Sequence, residues 1–200
     1  MVLNKYRKNV DSLLTSLSKP FMKMHPNTIT LISLFISFLA AISYYLTHIS
    51  SYFLFAFLAF LILASLMDAI DGKVARLRGI SSNRGDFLDH LIDRYADMII
   101  IIGISLSPYS TPLIGLFALS GVFMTSYVGT QAQAVGVGRI YGGILGRADR
   151  LVILMLLPII QFFWWGYYFS ISSWILILFA VLGHITAIQR ILSAWKSIPS

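Results

Sequence analysis

Residues 68–76 read Asp68-Ala69-Ile70-Asp71-Gly72-Lys73-Val74-Ala75-Arg76, and after eight intervening residues the chain continues Gly85-Asp86-Phe87-Leu88-Asp89-His90-Leu91-Ile92-Asp93. This stretch joins two apolar runs and carries most of the negative charge of a chain with little charge to spare. Of 200 residues, 58% are hydrophobic and 12% charged. The mean hydropathy of +0.81 lies above the range of an ordinary soluble domain. Glutamate is absent, and six of the eight aspartates fall between Asp68 and Asp97. Ionisable groups concentrated in a membrane chain mark a working site.

Outward from this stretch, the apolar runs set the architecture. A hydrocarbon layer of about 30 Å takes a helix of roughly 20 apolar residues. The chain accommodates six of them, at about 27–47, 52–77, 86–106, 112–135, 148–166 and 172–194. Polar breaks at His48-Ile49-Ser50-Ser51, Ser107-Pro108 and Gly166 separate them. In residues 1–24, Val10, Leu13, Leu14, Leu17 and Phe21 recur at helical spacing among Lys5, Arg7, Lys8, Lys19 and Lys23. That pattern predicts a helix lying on the bilayer surface, and no removable signal peptide is read there. The expected fold is an all-α membrane protein: an amphipathic juxtamembrane helix (1–24) followed by a six-helix transmembrane domain (25–200).

Orientation follows from the basic residues. Lys73, Arg76, Arg78, Arg84 and Arg94 lie near the second connection, and Arg139, Arg147 and Arg150 near the fourth. Together with the N-terminal five, Arg190 and Lys196, all fifteen Lys and Arg fall on one side of a six-span chain. The positive-inside rule makes that side cytoplasmic, with both termini and the aspartate cluster facing it. The net charge of +7 then favours anionic membrane lipids and phosphate-bearing substrates, not nucleic acid.

Positions 68, 71, 72 and 75 share one helical face, as do 85, 89 and 93 on the next helix, and a short turn folds the two faces together. Four converging carboxylates repel one another unless a cation sits among them. With no cysteine in the chain, oxygen ligands suit magnesium, manganese or calcium. Paired metals serve an in-line phosphoryl displacement. Small residues at 72, 75 and 85 leave room for a nucleotide to approach the helix backbones.

The spacing D-x2-D-G-x2-A-R-x8-G-x3-D-x3-D resembles the signature of the CDP-alcohol phosphotransferases at all eight fixed positions, and the resemblance extends over most of the chain. It implies six transmembrane helices around a cytoplasm-facing cavity, a homodimer, and two Mg2+ or Mn2+ ions held by Asp68, Asp71, Asp89 and Asp93. Asp93 is the implied general base. The implied nucleotide site comprises Asp68, Asp71, Gly72, Ala75, Arg76 and Gly85, bordered by Asn27 and Thr30 of a Pro-Asn-x-x-Thr element. A CDP-linked lipid, CDP-archaeol or CDP-diacylglycerol, would be the donor, an alcohol hydroxyl the acceptor and CMP the leaving group.

For the acceptor, Arg139, Arg147 and Arg190 are the candidates to meet in one cavity, where guanidinium groups would pair with a phosphate. Arg147-Ala148-Asp149-Arg150-Leu151 and Gln189-Arg190 look similar to the inositol-phosphate-using branch of the family. That similarity implies inositol 1-phosphate as acceptor, with glycerol phosphate or serine as alternatives. One departure stands out: bacterial members of that branch tend to carry basic residues after the Ser126-Tyr127 pair, where this chain has Gly129 and Gln131.

Other polar residues invite plainer readings. Asp86 is expected to cap its helix, Arg150 to meet a headgroup or Asp149, and His90 to pack or face headgroups. Trp164-Trp165 and Tyr167-Tyr168 read as an interfacial aromatic belt. An ion-coupled transporter would also place carboxylates in the membrane, but no half of the sequence is repeated and the cluster occurs once. An aromatic prenyltransferase would need a second Asp-rich motif.

Overall fold

The computed structural model describes residues 11–164 and 170–198, and every regular element among them is helical. Six long helices follow in order: α1 (Pro26–Tyr45), α2 (Phe53–Leu77), α3 (Asn83–Ser105), α4 (Pro112–Ala134), α5 (Arg147–Phe163) and α6 (Ile171–Ser197). Single 3-10 turns lie at Lys19–Phe21 and Leu46–His48. The predicted segments match these helices to within three residues at each end.

Local chemistry sets the starts. His25 Nδ1 accepts from the Asn27 amide at 3.3 Å, ahead of Pro26 in the first turn of α1. Thr111 and Ser170 cap α4 and α6 in the same way. The start of α3 corrects the sequence reading. Ser82, not Asp86, is its cap, with Ser82 Oγ accepting from the Gly85 amide at 3.2 Å. The helix therefore begins three residues early and takes Gly85 into its first turn.

Three close packings organise the molecule: α1 on α2, α1 on α3, and α4 on α6, with α5 lying against α2 and α6. Glycine permits two of them. A Cβ on Gly103 would lie 2.5 Å from the Ala41 carbonyl oxygen, and one on Gly183 would lie 2.6 Å from the Gly121 backbone. Backbones thus meet directly at α1–α3 and α4–α6, as small residues allow in membrane bundles. Tyr44, Leu54, Phe57, Ile101, Leu157 and Phe179 fill the main core. At the end away from the aspartates, the Tyr44 hydroxyl lies 2.5 Å from Ser172 Oγ, which in turn donates to Gln161 Oε1.

Leu113, Leu116 and Phe117 are each about three-fifths exposed on the outside of α4, and similar residues line the outer faces of α1 and α6. Such a surface suits lipid. Among the described residues, four segments are long and apolar enough to cross a membrane: Pro26–His48, Phe53–Leu77, Pro112–Ala134 and Ile171–Ser197. The six-span expectation is therefore met in part. Helix α3 carries Asp89, Asp93, Arg94 and Asp97 in its first half, and α5 has 17 residues.

Residues 11–18 form a helix on the α1–α2 face. Leu14, Phe21 and Met22 pack against Ile29, Ile70 and Val74, and Lys73 Nζ meets Asp11 Oδ1 at 2.7 Å. The described part of the expected surface helix thus also packs beside the C-terminal half of α2. Lys5, Arg7, Lys8 and Val10 lie outside the described residues, as do Trp165, Tyr167 and Tyr168 of the expected aromatic belt.

Candidate active site

The carboxylates converge because the short turn 78–82 links the charged C-terminal turns of α2 to the N-terminal turns of α3 while both helices pack on α1. Asp68, Asp71 and Asp89 each offer an oxygen within 4.8 Å of the others, and Asp89, His90 and Asp93 offer two oxygens and a ring nitrogen equally close together. Asp71 is buried and accepts from Thr30 Oγ1 at 2.6 Å. Among the described residues, neither Asp71 nor Asp89 has an Arg or Lys within ion-pair distance. Asp93 Oδ1 lies 2.5 Å from Arg147 Nη2, but at an angle that leaves this buried oxygen without a hydrogen-bond donor. Clustered carboxylate oxygens, incompletely neutralised and partly unbonded, fit a hard divalent cation.

Two cavities flank this cluster. The first, of about 220 Å³, opens between α1, α2 and the start of α3. Asn27, Thr30, Asp71 and Gly72 line one side, and Ala75, Arg76 and Gly85 another. Seven of the eight expected nucleotide-site residues therefore share one space. The eighth, Asp68, borders a small neighbouring crevice with Asp93 and Arg147. Ser81 and Ser82 of the turn also line the first cavity. The sequence reading missed these, and Ser82 ahead of an apolar helical run was the available signal, as a helix cap.

The second cavity, of about 160 Å³, lies across α3 and is walled by arginine. Arg139, Arg147 and Arg190 do meet there, joined by Arg94 and Arg150. Their present partners differ. Arg147 bridges Asp68 at 3.2 Å and Asp93 at 2.5 Å. Arg139 contacts His90 Nε2, and Asp86 Oδ1 lies 3.1 Å from the same nitrogen, so His90 forms part of the cavity wall. Arg190 donates from Nε to the Gly142 carbonyl, from Nη1 to Thr125 and from Nη2 to Tyr141, at 2.8, 2.7 and 3.1 Å. It staples the 135–146 loop to α4 and α6, leaving two of its five N–H groups for a ligand.

The expected role of Arg150 is corrected. Its Nη2 pairs with Asp97 Oδ2 at 2.7 Å, while Asp149 instead accepts from the Gly146 amide at the start of α5. Arg94, counted only as a loop charge, donates to Ser126 Oγ on α4. Four-residue spacing from Asp89 through Asp93 to Asp97 was the available signal for the Asp97 partnership. The Gly129 departure also has a steric reason. A Cβ there would lie 2.9 Å from the Ile140 carbonyl oxygen and 3.1 Å from Arg190 Nη1. The loop that carries Arg139 occupies the space a side chain would need.

A model of the CDP-alcohol phosphatidyltransferase family matches residues 23–192. The chain belongs to this family. It is accordingly a membrane-associated transferase of phospholipid synthesis, acting on a CDP-linked substrate. It is similar to the archaetidylinositol phosphate synthase of Pyrococcus horikoshii, 33% identical over 199 residues that cover 98% of this chain and 97% of the relative. The synthase of the same name from Methanothermobacter thermautotrophicus is 35% identical over 138 residues, 69% of each chain. Among solved structures, phosphatidylinositol phosphate synthase of Mycobacterium tuberculosis with CDP-DAG bound superposes with a TM-score of 0.78 at 25% identity, covering 93% of this chain and 95% of that one. The same enzyme in complex with manganese and citrate gives 0.78, at 92% and 90% coverage.

Proposed function

We propose that this CDP-alcohol phosphatidyltransferase transfers the lipid phosphoryl group of a CDP-linked lipid to a hydroxyl of inositol 1-phosphate, with release of CMP. The observation that carries the acceptor is the arginine-walled cavity, which meets the carboxylate cluster through Asp93 and Arg147. A phosphorylated alcohol seated there presents its phosphate to guanidinium groups and its free hydroxyl to Asp93. The archaetidylinositol and phosphatidylinositol phosphate synthases among the relatives support the same acceptor.

In this reading Asp68, Asp71, Asp89 and Asp93 hold two Mg2+ or Mn2+ ions, and a manganese-bound relative supports that ligation. When bound, the metals neutralise the donor pyrophosphate and polarise its phosphorus. Asn27, Thr30, Gly72, Ala75, Arg76 and Gly85 seat the cytidine and pyrophosphate in the first cavity, with Asp68 and Asp71 at its metal-facing side. Asp93 takes the proton from the acceptor hydroxyl. The hydroxyl oxygen bonds to the lipid-bearing phosphorus, and the bond from that phosphorus to the CMP oxygen breaks. Arg147 turns from Asp68 and Asp93 to the acceptor phosphate, assisted by Arg139 and the remaining donors of Arg190. Positioning and charge stabilisation carry most of the rate.

The finer architecture belongs to the same proposal. Helices α3 and α5 cross with the four apolar spans, making six. The juxtamembrane helix (1–24) and the transmembrane domain (25–200) place the site and both termini in the cytoplasm, in line with the one-sided Lys and Arg. The exposed apolar faces offer a surface to lipid and to a second copy in a homodimer. CMP release by the purified protein in detergent with Mg2+, using CDP-archaeol or CDP-diacylglycerol, tests the acceptor. Release that depends on inositol 1-phosphate, and not on glycerol 3-phosphate, serine or free inositol, is expected. An acceptor KM unchanged in Arg147→Ala would overturn the assignment of the arginine cavity.

A further inference from the structure

Helices α3 and α5 are joined by two rungs of opposite charge. On α3, Asp93 and Asp97 stand four residues apart and so share one face. On α5, Arg147 and Arg150 stand three apart and share another. The outer rung is Arg147 to Asp93 at 2.5 Å, open to both the arginine cavity and the carboxylate cluster. The inner rung is Arg150 to Asp97 at 2.7 Å, with 3% and 8% of these residues exposed. Arg94 lies 3.8 Å from Asp97 and donates to Ser126, tying α4 to the same pair.

A buried ion pair is a poor source of stability, because desolvation of both charges offsets their attraction. What such a pair does well is penalise every arrangement that separates its members. Helix α5 packs on α2 and α6, shares the apolar core with Ile100 and Ile101 of α3, and meets the charged half of α3 through these arginines. A slip of α5 by one residue turns its face by about 100°. Arg147 would then leave Asp93, and Arg150 would strand a buried charge.

We propose that Asp97 and Arg150 are positioning residues for the acceptor half of the reaction. The inner rung sets the register of α5 so that Arg147 stands over Asp93, where an acceptor's phosphate and hydroxyl must both be met. Arg150 stands at the wall of the arginine cavity with its charge taken up by Asp97, so the inner rung acts through the placement of Arg147. This proposal rests on the acceptor reading above and deepens it.

The test uses the full chain in detergent with a CDP-linked lipid and inositol 1-phosphate, measuring both Michaelis constants and the melting temperature. For Asp97→Asn and Arg150→Gln the acceptor KM is expected to rise about tenfold, with the donor KM held within about twofold. Arg150→Lys, which keeps the charge, and the double exchange Asp97→Arg with Arg150→Asp should each recover part of the acceptor KM. A stabilising but uninvolved pair would lower the melting temperature and leave both KM values alone, or raise both together, and either result overturns the proposal. If the neutral variants fail to fold, the Arg150→Lys acceptor KM decides: a wild-type value overturns the proposal and a selective rise supports it. Arg147→Ala in parallel separates the two readings. A raised acceptor KM there with wild-type values in the inner-rung variants defeats this inference alone, whereas no change in Arg147→Ala defeats the acceptor assignment.

Discussion

The two cavities on either side of α3 are built in opposite ways. The first cavity, where the proposal seats the nucleotide, is assembled from α1, α2 and the first turn of α3, and its carboxylates Asp71 and Asp89 have no ion-pair partner among the described residues. The arginine side draws on α3, α4, α5, α6 and the 135–146 loop, and its charges are almost all committed to one another or to backbone carbonyls. One side is poised to take up cations with their pyrophosphate. The other holds its cations in place until an anion competes for them. A transferase that must bring two anionic substrates to one phosphorus needs both, since a site of either sign alone would repel a reactant or trap a product.

Three further substitutions break or sharpen that contrast. The largest effect belongs to Asp93, which stands where the sides meet. Asp93→Asn should lower CMP release by about 10³-fold in single-turnover assays, the size expected for losing a general base. A loss of only a fewfold would move the base elsewhere.

Next is Gly85→Leu. A Cβ at Gly85 meets Ser82 Oγ at 3.5 Å and Asn27 Oδ1 at 3.8 Å, so the helix accepts it while the longer side chain intrudes on the nucleotide cavity. The donor KM should rise about tenfold, equivalent to ~1.4 kcal/mol, with the acceptor KM unmoved. Equal effects on both constants would show that the two sides are not separable.

The smallest effect is Thr30→Val. It removes the 2.6 Å hydrogen bond to Asp71, a net contribution of ~1 kcal/mol, and should weaken Mn2+ binding by about fivefold in titration calorimetry. Unchanged affinity would mean that Asp71 is oriented by the metal alone.

The same contrast explains how far each half was legible beforehand. The nucleotide side is encoded locally: fixed spacings on two consecutive helices and one short turn are enough to place Asp68, Asp71, Asp89 and Asp93 together, and Thr30 needed only the next helix back. The arginine side is not local. Arg94 reads only as a charge near a connection and Arg150 as meeting a headgroup or Asp149, because their partners lie 32 and 53 residues away and the spacing that includes Asp97 does not say which arginine meets it. The start of α3 was misplaced because Asp86 was expected to be its cap, whereas the Ser82 hydroxyl caps the helix one turn earlier and takes Gly85 into it.

From the sequence alone came the helical membrane class, the order of the helices, the family signature and the expectation that the four carboxylates converge, because apolar run length and helical periodicity act within a few turns of chain. Only the tertiary structure decided which arginines are free for a ligand. It showed Arg190 spent largely on carbonyls, Arg150 locked to Asp97 and Arg147 left between the two cavities. Long side chains reach several ångströms from their backbones, so their pairing depends on which helices lie beside them, and that is set by the packing of glycines such as Gly103 and Gly183 far from the charges themselves.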